Sequence, residues 1–376
     1  MKRIQSAVLV GLATLISCGG SRRLPITEPD PPHIPTDGKL LTRVMPTVEP
    51  ILPLTILADG RAVRVKLNSG KCSKSFVQVS RAIPKIEDLN WGRIERPGDN
   101  MCPTSMDSDS GWTVFTDEPA TRSGMVTGEF NLYAMNMIGG SAELLLKSEF
   151  DADTNAYPSP LLQPSTQRGY VAVAVGRKNL HADVILVNVS TGERQVVVER
   201  AFFARLSWPW VYAIREREFT SNLVRYNIFS RRLQVLNFRT VREIAVSGNS
   251  MMTTFQDRVE IHDVRTGHLL RRTHMVNPQP PNDVDSGFVT SDDRGNYYFS
   301  SDGSEIVSLG ARKAVGAERF NWIRGGGRWI MWQDMPRPTD SKQFIRYDGV
   351  GLPFVVRMAS VDEIRHYSKF PELSRG

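Results

Sequence analysis

Short apolar runs rich in β-branched and aromatic residues alternate along this chain with polar corners that carry glycine, asparagine or aspartate. Residues 183–197 show the unit clearly. An Asp-Val-Ile-Leu-Val run reaches Asn188, a Ser190-Thr191-Gly192 break follows, and Arg194-Gln-Val-Val resumes the apolar pattern. Glycine accepts the positive φ that such a turn requires, so a β-hairpin is predicted there. Asn68, Asn136, Asn188, Asn227, Asp263, Ser308 and Asp348 each close a comparable run and open a comparable turn. Asn and Asp suit these corners because their short side chains bond the backbone two residues on.

The corners fall about 68, 52, 39, 36, 45 and 40 residues apart. A hairpin recurring near every 40 residues predicts an all-β, β-propeller architecture, in which each unit buries its faces against its neighbours. Seven corners predict seven blades, with six or eight left open. Residues 112–116, 169–175, 210–214, 249–255, 295–300 and 327–332 are expected as the axis-side strands feeding the hairpins. Their β-branched and aromatic content suits strands covered on both faces. Residues 40–48 are a candidate strand to complete the last blade, which would remove an exposed edge. The tail after Met358 places Val361, Ile364 and Tyr367 on one side of a brief helix or against a blade, and the pattern does not choose between them.

Three stretches resemble known propeller units. Asn131-Leu-Tyr-Ala-Met-Asn-Met-Ile-Gly-Gly resembles the strand-and-turn unit of TolB-like propellers, and Val259-Glu-Ile-His-Asp-Val-Arg-Thr-Gly that of WD-type repeats. Asp293-Arg-Gly-Asn-Tyr-Tyr-Phe-Ser is similar to a strand opening in six-bladed NHL-type propellers. The resemblance spans roughly residues 45 to 358 and implies the architecture, not a particular activity.

The N-terminus follows different rules. Lys2 and Arg3 precede an apolar run from Ile4 to Ile16 without an acid, the layout of a secretory signal and too short for a comfortable membrane span. It ends in Leu15-Ile16-Ser17-Cys18, which resembles the lipobox of bacterial lipoproteins. That resemblance implies a signal peptide over residues 1–17 and lipidation of Cys18, so that the protein meets the membrane through an N-terminal lipid. It also implies a sorting preference: Gly19, rather than aspartate, after the cysteine favours the outer over the inner membrane. Pro25, Pro29, Pro31, Pro32 and Pro35 make residues 18–39 an extended tether. Residues 40–358 are then the propeller domain and 359–376 a C-terminal tail.

The formal charge of +7 falls to roughly +5 once residues 1–17 are removed, which is mild for this length. Without a long basic run or basic helix, no nucleic-acid partner is expected. Cys72 and Cys102 are left over after Cys18, and an exported chain favours their pairing as a disulfide, two buried thiols being the other reading. Such a bridge would stabilise by roughly 3–4 kcal/mol in the chain-entropy model.

Catalytic signatures are sparse. Asp107-Ser-Asp109-Ser-Gly111-Trp-Thr113 and Ser291-Asp-Asp293-Arg-Gly295-Asn-Tyr-Tyr298 resemble the Asp-box of sialidase-like propellers, which in that family is a structural turn. The Asp107, Asp109 and Gly111 spacing is also similar to the start of a calcium loop, but Trp112 and Thr113 interrupt it. His262, His268 and His274 lack metal-ligand spacing, and Gly325-Gly-Gly327 leads into a strand rather than a helix, so no metal, cofactor or phosphate site is expected. Trp208-Pro209-Trp210 places two indoles at a strand start, a possible binding surface for sugar rings or protein. The expected function is a monomeric, non-catalytic scaffold of the cell envelope that binds a protein or glycan partner. A glycan-processing hydrolase or lyase with an axial acidic site is the alternative.

Overall fold

A computed structural model of the chain describes residues 43–47, 54–68, 71–80, 91–94, 101–109, 111–119, 130–137, 142–148, 164–177, 181–217, 220–239, 241, 243–255, 258–274, 289–291, 297–300, 306–308, 313–316, 320–334 and 354–360. All regular structure among them is β-strand. The chain enters as β1 (Arg43–Thr47), then builds a first sheet from β2 (Leu54–Ile56), β3 (Ala62–Asn68), β4 (Lys71–Ser80) and β5 (Trp91–Ile94). The second sheet is β6 (Met101–Ser108), β7 (Trp112–Pro119), β8 (Asn131–Asn136) and β9 (Ala142–Lys147). The third is β10 (Ser165–Gln167), β11 (Tyr170–Gly176), β12 (Ala182–Asn188) and β13 (Arg194–Val198). The fourth is β14 (Ala201–Ser207), β15 (Trp210–Arg217), β16 (Thr220–Asn227) and β17 (Leu233–Arg239).

The fifth is β18 (Glu243–Ser247), β19 (Ser250–Thr254), β20 (Arg258–Asp263) and β21 (Leu269–His274), and the sixth β22 (Val289–Ser291), β23 (Tyr297–Ser300), β24 (Ile306–Ser308) and β25 (Lys313–Gly316). The seventh takes β26 (Phe320–Gly326), β27 (Trp329–Asp334) and β28 (Phe354–Ser360) and receives β1 as its outermost strand. Each sheet is antiparallel, and its first strand meets the first strands of the sheets before and after it, the seventh returning to the first. This is the ring of a β-propeller. Residues 40–48, expected to partner the last unit, supply β1, with Arg43 opposite Met358 and Thr47 opposite Phe354.

The packing explains the apolar runs. In β11, Val171, Val173 and Val175 face the second sheet, where they join Val114, Phe130, Leu132 and Ala134. Ala172 and Ala174 point the other way, against Ala204, Val211, Ala213 and Val224 of the fourth sheet. A strand covered on both faces needs no polar alternation.

The first strand of each sheet is different. The expected axis-side strands at residues 112–116, 169–175, 210–214, 249–255, 295–300 and 327–332 correspond to second strands of their sheets. Two of the true first strands, β6 and β10, carry polar side chains that reach the next sheet. Asp107 of β6 accepts the Thr166 amide at 2.7 Å, and Asp109 just beyond it accepts the Arg168 amide. Ser165 and Gln167 of β10 accept the Leu206 and Trp208 amides at 3.0 and 2.6 Å. Side chains two residues apart thus satisfy amides two residues apart on the next sheet, which fixes the vertical register between sheets.

One further expectation changes. Asn68 lies between the second and third strands of its sheet, where Asn68 pairs with Lys71, and not between the third and fourth like Asn136, Asn188, Asn227, Asp263 and Ser308. Any tight hairpin presents the same corner chemistry, so the sequence alone does not say which hairpin of a sheet it closes. Residue Asp348, the signal segment, the tether and residues 361–376 lie outside the described residues.

Candidate functional site

Three turns between third and fourth strands share one hydrogen-bond pattern. The amides of Asn188, Asn227 and Asp263 donate to the carbonyls of Glu193, Arg232 and His268 at 2.9, 3.0 and 2.9 Å. The amides of Gly192, Arg231 and Gly267 donate back at 2.9, 2.9 and 2.8 Å. Asn188 Oδ1 accepts the Ser190 amide, Asn227 Oδ1 those of Phe229 and Ser230, and Asp263 Oδ1 that of Thr266. The Thr266 hydroxyl and then its amide hold the Asp263 carboxyl below the usual carboxylate range. Each turn is also bonded to the first turn of its own sheet: Val189 to Gly169, Ile228 to Pro209 and Val264 to Asn249. Both sets of turns therefore share one face of the ring.

On that face the fourth sheet breaks the repeat. The left-handed position is glycine in two turns, at φ 70° for Gly192 and 72° for Gly267, but Arg231 at φ 54° in the third. Phe229 takes the place of Ser190 and Arg265, and is 70% exposed. The neighbouring turn shows the same exchange: Arg168 sits at φ 52° where Gly248 and Gly327 sit at 55° and 56°. An arginine in this region costs about 1 kcal/mol relative to glycine. Both arginines are exposed.

Beside Arg168 stands Trp208. Its ring lies 5.3 Å from Tyr170, tilted by 42°, and 5.3 Å from Phe229, edge-on at 89°. The Arg168 guanidinium is 5.6 Å from the indole centroid. The Trp208–Pro209 peptide is cis. Tyr170, Trp208 and Phe229 come from two sheets, so the cluster exists only because the ring brings β11 beside the turn that follows β14.

The two indoles singled out in the sequence part company. Trp210 packs against the buried residues between the fourth and fifth sheets, among them Tyr212, Ile214 and Ile244. Arg225 lies 4.3 Å over its ring and donates to the Val264 carbonyl at 2.9 Å, joining the two sheets. Burial pushes the Tyr212 phenol up, although its hydrogen bond with Arg225 opposes this. Trp210 is thus a packing residue, whereas Trp208, half-buried like it, packs against the exposed Phe229 on the turn face. Cys72 lies in β4 and Cys102 in β6 of adjacent sheets; their side chains, and Cys18 altogether, fall outside the described residues.

Glu260 forms a second polar cluster, 4% exposed on β20. Arg258 Nε and Arg272 Nε donate to Glu260 Oε1 at 2.8 and 2.7 Å, and His262 Nε2 lies 3.0 Å from Oε2. Burial pushes the carboxyl up, but the arginine hydrogen bonds and charges outweigh it, leaving the group below its ordinary value. Burial lowers His262 more than Glu260 raises it. The His262 ring packs 4.4 Å from Phe238 of the fourth sheet, which identifies this as an inter-sheet contact. No group of three or more His, Cys, Asp or Glu suited to a metal occurs among the described residues. Asp107 and Asp109, considered for an Asp-box or calcium loop, accept the Thr166 and Arg168 amides of the next sheet.

Phe229, Tyr170 and Arg168 were not recognisable in the sequence as site residues. The available signal was the comparison of aligned turns, in which Phe229 and Arg231 replace a polar residue and a glycine.

No family model and no curated protein matches the chain. Solved structures similar to it include puromycin hydrolase, at a TM-score of 0.50 and 10% identity over 77% of this chain and 50% of that one. BamB from Moraxella catarrhalis matches at 0.42 and 10% identity over 81% and 83% of the two chains. TolB from Acinetobacter baumannii matches at 0.42 and 12% over 67% and 61%. These are likenesses of fold alone, and this chain spans half the length of the puromycin hydrolase chain.

Proposed function

We propose that this chain is a lipid-anchored protein of the cell envelope whose propeller is a non-catalytic scaffold for another envelope protein or a glycan. The observation that carries the reading is the aromatic cluster on the turn face of a closed ring, in which half-buried Tyr170 and Trp208 meet the exposed Phe229. An aromatic surface rimmed by arginine is the composition on which binding free energy concentrates. Asp107 on the inner strand β6 and Asp109 just beyond it accept amides of the next sheet, which accounts for both structurally without a role as the paired acid and base of glycoside chemistry.

The anchor rests on Lys2, Arg3, the apolar run and Cys18, and Gly19 favours the outer membrane. Residues 18–39 are the tether, 40–358 the propeller and 359–376 the tail. Cys72 and Cys102, on adjacent sheets of an exported protein, are proposed to pair.

Cross-linking of whole envelopes from cells carrying the wild type or Cys18→Ser tests both parts. The wild type is expected in the membrane pellet with a cross-linked companion, and the serine variant in the soluble fraction. Unchanged partitioning of the variant would remove the anchor. Recovery of the wild type alone at native abundance would count against the scaffold.

A further inference from the structure

We infer that the rim formed by Tyr170, Trp208 and Phe229 with Arg168, Arg231 and Arg232 docks an acidic segment of a partner protein, one that carries an apolar anchor residue. The inference rests on the scaffold reading and specifies its site and partner chemistry.

Folding does not account for this rim. The turn holding Phe229 has the same hydrogen bonds as those holding Ser190 and Arg265, so a polar residue closes it equally well. Phe229 nevertheless exposes 70% of its surface. Arg231 and Arg168 occupy left-handed positions that glycine fills elsewhere in the ring. Backbone energy is retained at both places, in the turn whose guanidinium faces the indole and in the turn that carries Phe229, and departures from local rules on a shared face mark functional surface.

The chemistry of the rim selects the partner. Arg168, Arg231 and Arg232 are all exposed. The carboxylate of Asp109 is engaged by the Arg168 amide; of the other acids in the adjoining turns, Glu193 has Arg194 as its neighbour, and Asp263 takes the Thr266 amide and hydroxyl beside Arg265. The surplus is positive, and planar guanidinium groups pair with carboxylates through two parallel hydrogen bonds. The rings meet at 42° and 89°. They present edges and a ridge, suited to interdigitating with a side chain, rather than the single flat face on which a sugar ring stacks.

The test places benzoyl-phenylalanine at position 229 of the full chain in its native envelope, irradiates, and maps the linked peptide by mass spectrometry. Leu270, 57% exposed on the fifth sheet, is the comparison position. The expected adduct joins position 229 to a protein segment in which Asp and Glu outnumber Lys and Arg. Its yield should fall at least about tenfold with Arg168→Glu, and also with Arg231→Gly, which restores the residue that the repeat uses and so does not disturb folding.

A linked segment without acidic excess, an adduct to glycan, or a yield indifferent to both substitutions would overturn the inference. So would an adduct from position 270 with none from 229, an outcome that leaves the scaffold reading standing. No adduct from either position would overturn both.

Discussion

Gly326→Val is expected to destabilise the folded ring by about 1–3 kcal/mol, the range for forced overpacking. A Cβ at Gly326 would fall 2.6 Å from the Ile56 carbonyl oxygen, a backbone atom that cannot rotate away. Gly327 has the same difficulty against the Ala58 carbonyl, with the added demand of φ +56°. On the other side of this junction the Trp329 indole lies directly over Gly60, whose φ is +86°. Strands β26 and β27 belong to the seventh sheet, whereas Ile56, Ala58 and Gly60 belong to the first, so the three glycines sit where the ring closes. Denaturant unfolding reads the effect as a lower midpoint. Gly169→Ala is the comparison: a Cβ there meets nothing within 4 Å, so only its φ of +76° opposes the change and the expected loss is about 1 kcal/mol.

Glu260→Gln is expected to lower stability by about 1–2 kcal/mol at neutral pH, because it leaves two arginine side chains without their shared acceptor charge. The figure stays modest because Arg258 and Arg272 are partly exposed, 32% and 50% by side chain, and solvent screens them. The pH dependence separates charge from shape. Folding depresses the Glu260 pKa, so the wild type has the full benefit above the ordinary value of 4.5 and loses it as pH falls through the folded value. The two proteins should therefore converge toward pH 3.

Folding also depresses the His262 pKa. Its contribution is complete above the ordinary value of 6.5 and declines as pH falls toward the folded value. Removing the neighbouring carboxylate takes away what supports a proton on His262, so the decline below pH 6.5 should steepen in the variant. Unfolding midpoints of both proteins from pH 3 to 8 check this, and a constant gap across that range would contradict the assignment.

The hairpins were legible in the sequence because turn chemistry is local. Asn188, Asn227 and Asp263 announce themselves, and their side chains make the local bonds that their residue types suggest. The second strands were legible because burial on both faces makes them apolar throughout, as in β11. First strands such as Ser165–Gln167 were not, since their polar residues satisfy amides 41 residues further on. That partnership appears only once the ring is built. The aromatic cluster was half legible for the same reason. Trp208 stands out in any reading, but Tyr170 joins it from the preceding sheet and Phe229 from another turn of its own sheet, and nothing local distinguishes Trp208 from Trp210.

The account depends on a closed ring whose N-terminal strand completes the seventh sheet, because that closure sets where the tether leaves and holds the turn face in one piece. Paired cysteines at Met45 and Val356, opposite one another in the register of β1 on β28, test it directly. Peptide mapping of the oxidised protein should find the new link at 45–356 and not in the variant pairing positions 44 and 356, since a one-residue slip turns the side chains to opposite faces. Equal linking in both variants, or linking in neither, would contradict the closed ring.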